Sequence, residues 1–146
     1  MRLVSTKDVG SAFLNAKMER TVHMTLQPSI AKSLIKIKPS YKTSLRDNGT
    51  LVVRLDKALY GCIESSILWY NDLSKLLKSV GFTENARDKC VLNVNREECQ
   101  LTVYIYVDDL FCTSKSRANL DWIDGVLREK YKEVSSNEGE VHNYLG

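Results

Sequence analysis

The sequence predicts an α+β domain in which helices pack on one face of a mainly antiparallel sheet. With 146 residues, 43% of them hydrophobic and 27% charged, the chain has the size and composition of one globular domain. Its apolar residues follow a two-residue period in some segments and a helical period in others. The resulting order is strand, helix, long connection, strand, helix, several strands and a final helix, which is typical of the α+β class. The other face of the sheet is then free for a substrate.

The first strand runs from Leu3 to Asp8, and its alternation places Val4, Thr6 and Asp8 on one face. A short helix is predicted from Ser11 to Met18. The connection that follows contains the only two prolines of the chain, and because proline interrupts regular structure we expect it to be irregular, with one helical turn at most.

Asp-Asn-Gly at residues 47–49 predicts a turn, because Asn and Gly tolerate positive φ. A strand is predicted after it, over residues 51–55. The clearest helix runs from Ser65 to Val80. Its apolar residues form one stripe, consisting of Trp69, Leu73, Leu76, Leu77 and Val80. We interpret Trp69 as a core residue of this helix.

Three strands are predicted over residues 90–94, 100–107 and 110–113, and a last helix over residues 116–132. This helix presents one apolar side, formed by Leu120, Ile123, Leu127 and Tyr131. The tail from Ser135 to Gly146 is polar, then turns apolar at Tyr144-Leu145, and is assigned no strand.

The charges are unevenly distributed, although the net charge is only +3. Residues 20–46, which we call the basic segment, contain no Asp or Glu. Its six cations are Arg20, Lys32, Lys36, Lys38, Lys42 and Arg46. The basic segment is either a solvated loop or a surface that follows a phosphate backbone.

Two adjacent acids, Asp108 and Asp109, lie between two apolar runs. By alternation Asp108 projects with Tyr104 and Tyr106, opposite a face formed by Leu101, Val103, Ile105 and Val107. A hairpin that turns at Val107-Asp108 places both carboxylates at its tip. Such a pair is either a solvated turn or a site for a hard divalent cation, because neighbouring carboxylates repel each other unless a cation binds them.

Eight short stretches carry a family resemblance. They are Asp8-Val9-x-x-Ala12-Phe13-Leu14-Asn15, Gln27-Pro28, Lys57-Ala58-Leu59-Tyr60-Gly61, Trp69-Tyr70, Gly81-Phe82, Asp88-x-Cys90, Tyr106-Val107-Asp108-Asp109-Leu110 and Tyr144-Leu145-Gly146. In this order, over essentially the whole chain, they resemble the polymerase palm of the reverse transcriptases of copia-type LTR retrotransposons.

The resemblance implies an RNA-directed DNA polymerase that transfers nucleotides with the help of two metal ions. Asp8, Asp108 and Asp109 match the carboxylates that bind two Mg²⁺ ions, for which Mn²⁺ can substitute, and the backbone carbonyl of Val9 is a further ligand. The implied partners are an RNA template, a DNA primer, deoxynucleoside triphosphates and the rest of the Pol polyprotein, with no membrane.

Three further residues match the nucleotide site of the family. Phe13 matches the bulky residue under the sugar that excludes a 2′-hydroxyl, and Tyr60 and Gly61 fall near the incoming nucleotide or the template base. From the residues alone, Phe13 and Tyr60 are equally well interpreted as core aromatics.

By the same resemblance, residues 1–146 form a palm with partial fingers and without a thumb or an RNase H domain. We expect such a truncated copy to have little activity and marginal stability alone. The alternative is a catalytically inert remnant that binds nucleic acid or another partner through the basic segment. No secretory signal or membrane-spanning run is present, so the expected location is intracellular, in cytoplasmic virus-like particles or the nucleus.

Overall fold

Most strands of the computed structural model, which describes residues 1–139, join in one six-stranded sheet. The eight strands are β1 (Leu3–Val9), β2 (His23–Leu26), β3 (Leu51–Arg54), β4 (Thr83–Glu84), β5 (Val91–Arg96), β6 (Cys99–Tyr106), β7 (Asp109–Ser114) and β8 (Val134–Asn137). The large sheet has the order β4-β5-β6-β7-β1-β8, and every neighbouring pair is antiparallel. Strands β2 and β3 form a separate antiparallel pair.

Four α-helices and one 3₁₀ segment accompany these strands. They are α1 (Ala12–Asn15), α2 (Pro28–Ile37), the 3₁₀ segment (Pro39–Ser44), α3 (Ser65–Ser79) and α4 (Arg117–Lys130). The mixed architecture with a mainly antiparallel sheet confirms the predicted α+β class. Among the helices of residues 1–139, none has the length and apolar character needed to cross a membrane.

Helices α3 and α4 cover one face of the large sheet, and the main core lies between them and the strands. The predicted stripe of α3 is buried at Trp69, Leu73 and Leu77, while Leu76 and Val80 pack at its margin. The whole predicted side of α4, from Leu120 to Tyr131, is buried as well. Both helices begin and end within two residues of the predicted bounds.

The alternation along β6 is confirmed in its central part. Leu101, Val103 and Ile105 are buried under the helices, whereas Tyr104 and Tyr106 are exposed on the opposite face. The prediction was wrong for Val107, which is exposed because it lies in the turn after the strand.

The prediction of an irregular connection was wrong, because residues 28–37 form a helix of 10 residues. Pro28 occupies the first turn of α2, where a missing N–H costs no hydrogen bond, so this proline starts the helix. Ala31 of α2 packs on Leu26 and Leu51 of the β2–β3 pair in a small second core.

Two other boundaries differ from the prediction. The first helix is shorter than residues 11–18, because Ala16 adopts an extended conformation and the next residue, Lys17, bridges to Lys57. Strand β8, which pairs with β1, was missed because only Val134 among its residues is apolar. The motif at Tyr144-Leu145-Gly146 lies outside the described residues.

A buried ion pair connects β1 to α4 and β8. The Lys7 side chain lies on the helix-covered face of the sheet and is inaccessible to solvent, and its Nζ donates to Asp124 Oδ1 at 2.9 Å. Burial raises the pKa of Asp124, but hydrogen bonds from Arg128, Ser136 and Lys7 outweigh this effect and lower that pKa to about 2. The pair therefore stabilises the fold only while Asp124 is ionised.

We expect Asp124→Asn to destabilise the chain by roughly 2 kcal/mol near neutral pH, because it leaves the buried Lys7 ammonium without its counter-ion. The folded-state pKa of Asp124 lies below its ordinary value of 3.8, so the wild type loses this stabilisation as the pH falls from about 4 towards 2. Urea unfolding near pH 6 and near pH 2.5 measures both effects.

The matched control is Asp121→Asn, which breaks an exposed pair with Arg117 on the same helix. Exposed pairs contribute about 0–0.5 kcal/mol, so this variant is expected to unfold like the wild type. An equal loss in both variants would contradict a special role for the buried pair.

Candidate active site

The strand register brings Asp8 next to the two adjacent acids, although about a hundred residues of chain separate them. Asp8 of β1 lies directly opposite Asp109 of β7. Directly opposed residues project to the same face, with their Cβ atoms about 5 Å apart. Asp109 also faces Tyr106 of β6, so Val107 and Asp108 form the two-residue tip of the β6–β7 hairpin.

The hairpin tip is held from two sides. The Val9 N–H donates to the Asp108 carbonyl oxygen at 3.3 Å, which ties the tip to β1. The Trp69 indole Nε1 donates to the Val107 carbonyl oxygen at 2.6 Å, which ties it to α3. Together these bonds keep Asp108 beside the end of β1 that carries Asp8.

Val107 has a left-handed backbone conformation, with φ at 53°. This region is strained for a β-branched residue and costs on the order of 1–3 kcal/mol. The strain persists because hydrogen bonds from Trp69 and Val9 fix the carbonyl groups of Val107 and Asp108, the two residues of the tip.

The three carboxylates interact electrostatically. Partial burial raises the pKa of Asp8, and the negative charges of Asp108 and Asp109 raise that pKa further. A cluster of carboxylates whose mutual repulsion raises a pKa suits a hard divalent cation chemically, because the cation reverses the repulsion. Within residues 1–139, however, no group of three Asp, Glu, His or Cys side chains is already arranged to hold a metal ion together.

Phe13 and Tyr60 lie beside this cluster and contact each other. Their ring centroids are 4.3 Å apart, and the Tyr60 hydroxyl donates to Asp108 Oδ2 at 3.2 Å. Phe13 is almost completely buried, whereas Tyr60 is 52% exposed and is therefore not a core aromatic. Gly61 follows Tyr60 with a positive φ of 93°, and a Cβ atom added to this glycine would meet no neighbouring atom within 4 Å.

The structure brings the candidate residues together to different degrees. Asp8 interacts electrostatically with both Asp108 and Asp109, and Tyr60 contacts both Phe13 and Asp108. Buried Val9 joins the cluster through its backbone, as the N–H donor to Asp108.

Sequence reasoning missed the polar role of Trp69. The side chain is buried as predicted, but its N–H also holds the hairpin tip. This role could have been anticipated from the residue type, because a buried tryptophan needs a hydrogen-bond acceptor for its indole N–H.

Comparisons with known proteins agree with one another. A family described as "Reverse transcriptase (RNA-dependent DNA polymerase)" matches residues 1–146. The Pol polyproteins of the transposons RE2 and RE1 of Arabidopsis thaliana are each 28% identical over 139 residues, which is 95% of this chain and 8% of each relative. The truncated Ty1-A Gag-Pol polyprotein of Saccharomyces cerevisiae is 27% identical over 143 residues, covering 97% of this chain and 10% of the relative. The chain therefore spans a tenth or less of the length of these relatives.

We expect Val107→Gly to raise the free energy of unfolding by about 1 kcal/mol, because relief of the backbone strain exceeds the entropy cost of glycine. The matched control is Val91→Gly in β5, at a half-buried position with ordinary backbone geometry. That variant is expected to lose about 1–2 kcal/mol. Denaturant unfolding compares the two, and an equal loss at both positions would contradict strain at the tip.

We expect Asp8→Asn to stabilise the chain near pH 7 and to have no such effect near pH 3. The folded-state pKa of Asp8 lies above its ordinary value of 3.8, so ionisation of the wild-type carboxylate costs stability as the pH rises through that range. Urea unfolding at the two pH values measures the difference. Asp47→Asn, at an exposed turn position, is the control, and destabilisation by Asp8→Asn near pH 7 would contradict repulsion among the carboxylates.

Proposed function

The chain belongs to the reverse transcriptase family of copia-type retrotransposon Pol polyproteins, and we propose that it forms the palm and part of the fingers of an RNA-directed DNA polymerase. Its partners in this proposal are an RNA template, a DNA primer, deoxynucleoside triphosphates and the rest of a Pol polyprotein. The large sheet with α3 and α4 serves as the palm, and the β2–β3 pair with α2 serves as partial fingers.

One observation carries the proposal. The β1–β7 register and the hairpin tip gather Asp8, Asp108 and Asp109 at one end of the interior strands β1 and β7. Burial and the other two charges raise the pKa of Asp8, which reflects this proximity. A fold gains no stability from such repulsion, so the cluster is best explained by a ligand that needs it.

Asp8, Asp108 and Asp109 would hold two Mg²⁺ or Mn²⁺ ions, with the backbone carbonyl of Val9 as an additional ligand. When bound, such ions activate a primer 3′-hydroxyl and offset the charge of the triphosphate. The contribution of the chain is to hold the hairpin tip: Trp69 and Val9 donate to its carbonyl groups and so keep the backbone of Asp108 beside the end of β1.

Phe13 and Tyr60 form the side of the site on which we place the nucleotide sugar. Phe13 is anchored in the core at the start of α1, so its ring has little freedom to move. A fixed ring at this position would exclude a 2′-hydroxyl and select deoxynucleotides. We place Gly61 next to the base, where the lack of a side chain leaves space.

A second candidate function rests on the basic segment. Five of its cations are exposed and form no ion pair among residues 1–139, namely Lys32, Lys36, Lys38, Lys42 and Arg46. Arg20, by contrast, pairs with Glu64. Such a surface supports salt-dependent binding of a phosphate backbone, either as part of the polymerase or as the activity of an inert remnant.

The polymerase proposal predicts carboxylate-dependent binding of Mn²⁺ near neutral pH. We expect Asp8→Asn combined with Asp108→Asn to weaken Mn²⁺ binding by about tenfold or more, since both substitutions remove charged ligands. Electron paramagnetic resonance of free Mn²⁺ measures the binding, with Asp121→Asn as the control. RNA-templated primer extension by the same proteins then tests whether any activity depends on the same carboxylates.

The inert alternative predicts the opposite pattern. Binding of a primer–template duplex would weaken steeply with salt and would be unchanged by the double aspartate variant. Mn²⁺ binding that is equal in the wild type and the double variant would contradict the polymerase proposal.

A further inference from the structure

Tyr60 connects the two halves of the candidate site. Its ring packs on Phe13, where we place the nucleotide sugar, and its hydroxyl donates to Asp108, where we place a cation. The Tyr60 hydroxyl also interacts electrostatically with Asp8. The Tyr60 hydroxyl thus bonds directly to Asp108 and lies within the electrostatic influence of Asp8.

The backbone is held by hydrogen bonds on one side of Tyr60 and is free of close contacts on the other side. On one side, Leu59 exchanges two hydrogen bonds with the Ser65 side chain: its N–H donates to Ser65 Oγ at 3.1 Å, and Ser65 Oγ donates to its carbonyl at 2.6 Å. On the other side, Gly61 has a positive φ and open space around it. Tyr60 itself is half exposed, so its side chain can leave the site without opening the core.

We propose that Tyr60 is a displaceable plug: its ring covers Phe13 and its hydroxyl occupies Asp108 until a divalent cation takes its place. This inference rests on the proposed function, because it concerns the same carboxylates. It makes Tyr60 a positioning residue that competes with the cation.

The chemistry of the exchange is balanced. The Tyr60 hydroxyl donates a hydrogen bond to the Asp108 carboxylate. A divalent cation would replace this hydrogen bond with a stronger electrostatic interaction. The hydrogen bond that the hydroxyl loses is regained from water, because the Tyr60 side chain moves into solvent. Because the cation must displace the Tyr60 hydroxyl from Asp108, the wild type should bind the cation more weakly than a chain that lacks this hydroxyl.

The test uses Mn²⁺ alone as the probe, with the 146-residue chain. We expect Tyr60→Phe, which keeps the ring and removes the hydroxyl, to bind Mn²⁺ about three- to tenfold more tightly than the wild type. The matched control is Tyr104→Phe, because Tyr104 lies on the exposed face of β6 and its ring packs on Phe111. This control is expected to bind Mn²⁺ like the wild type.

A second readout follows Tyr60 directly. In a chain with ¹³C-labelled tyrosine, the Tyr60 ring signals are identified by their absence in Tyr60→Phe. We expect saturating Mg²⁺ to shift these signals and to leave those of Tyr104 in place. Tyr60 signals that do not respond to saturating Mg²⁺ would overturn the plug.

The outcomes separate this inference from the proposed function. If the double variant Asp8→Asn with Asp108→Asn binds Mn²⁺ as well as the wild type does, the proposed function fails. If Mn²⁺ binding depends on these carboxylates but Tyr60→Phe binds no more tightly than the wild type, only the plug is overturned. A destabilised Tyr60→Phe chain would bind Mn²⁺ more weakly, so tighter binding cannot result from loss of structure.

Discussion

The candidate site depends on the way in which the β6–β7 hairpin tip is held. A left-handed Val107 is unfavourable on its own, and it persists because Trp69 and Val9 donate hydrogen bonds to the carbonyl groups of the tip. The buried Trp69 is itself positioned by the packing of α3 on the sheet. The indole N–H of Trp69 therefore links the hydrophobic core to the hairpin tip. Together with the Val9 hydrogen bond, this link sets the position of Asp108 relative to Asp8.

The same region concentrates features that oppose stability. Three carboxylates repel one another, and the positive φ of Val107 adds backbone strain. On the helix-covered face, by contrast, the buried Lys7 ammonium is paired with the Asp124 carboxylate. An ion pair therefore compensates the buried charge on the helix side, whereas repelling acids are gathered at the end of β1, and such unfavourable clusters are found more often at functional sites than elsewhere in a fold.

Elements with a strong periodic pattern were predicted well from the sequence. The stripes of α3 and α4 and the alternation in β6 are local signals, since each side chain reports the face of its own element. The errors occurred where a tertiary contact, rather than the local sequence, determined the backbone conformation. Proline predicts an interruption of regular structure, but Pro28 begins α2. Ala16 is extended because the chain bridges to the segment before α3. The polar strand β8 forms because the backbone of β1 offers it hydrogen bonds.

By itself, the sequence determined the fold class, the main helices and strands and the identity of the acidic residues, because these follow from composition and from periods of two to four residues. It also carried the family resemblance through short motifs. Only the tertiary structure decided that Asp8 pairs with Asp109, that Trp69 binds the Val107 carbonyl and that Tyr60 reaches Asp108. The physical reason is distance along the chain: these contacts join residues separated by about forty to a hundred positions, and strand register and helix docking bring them together where no local pattern can.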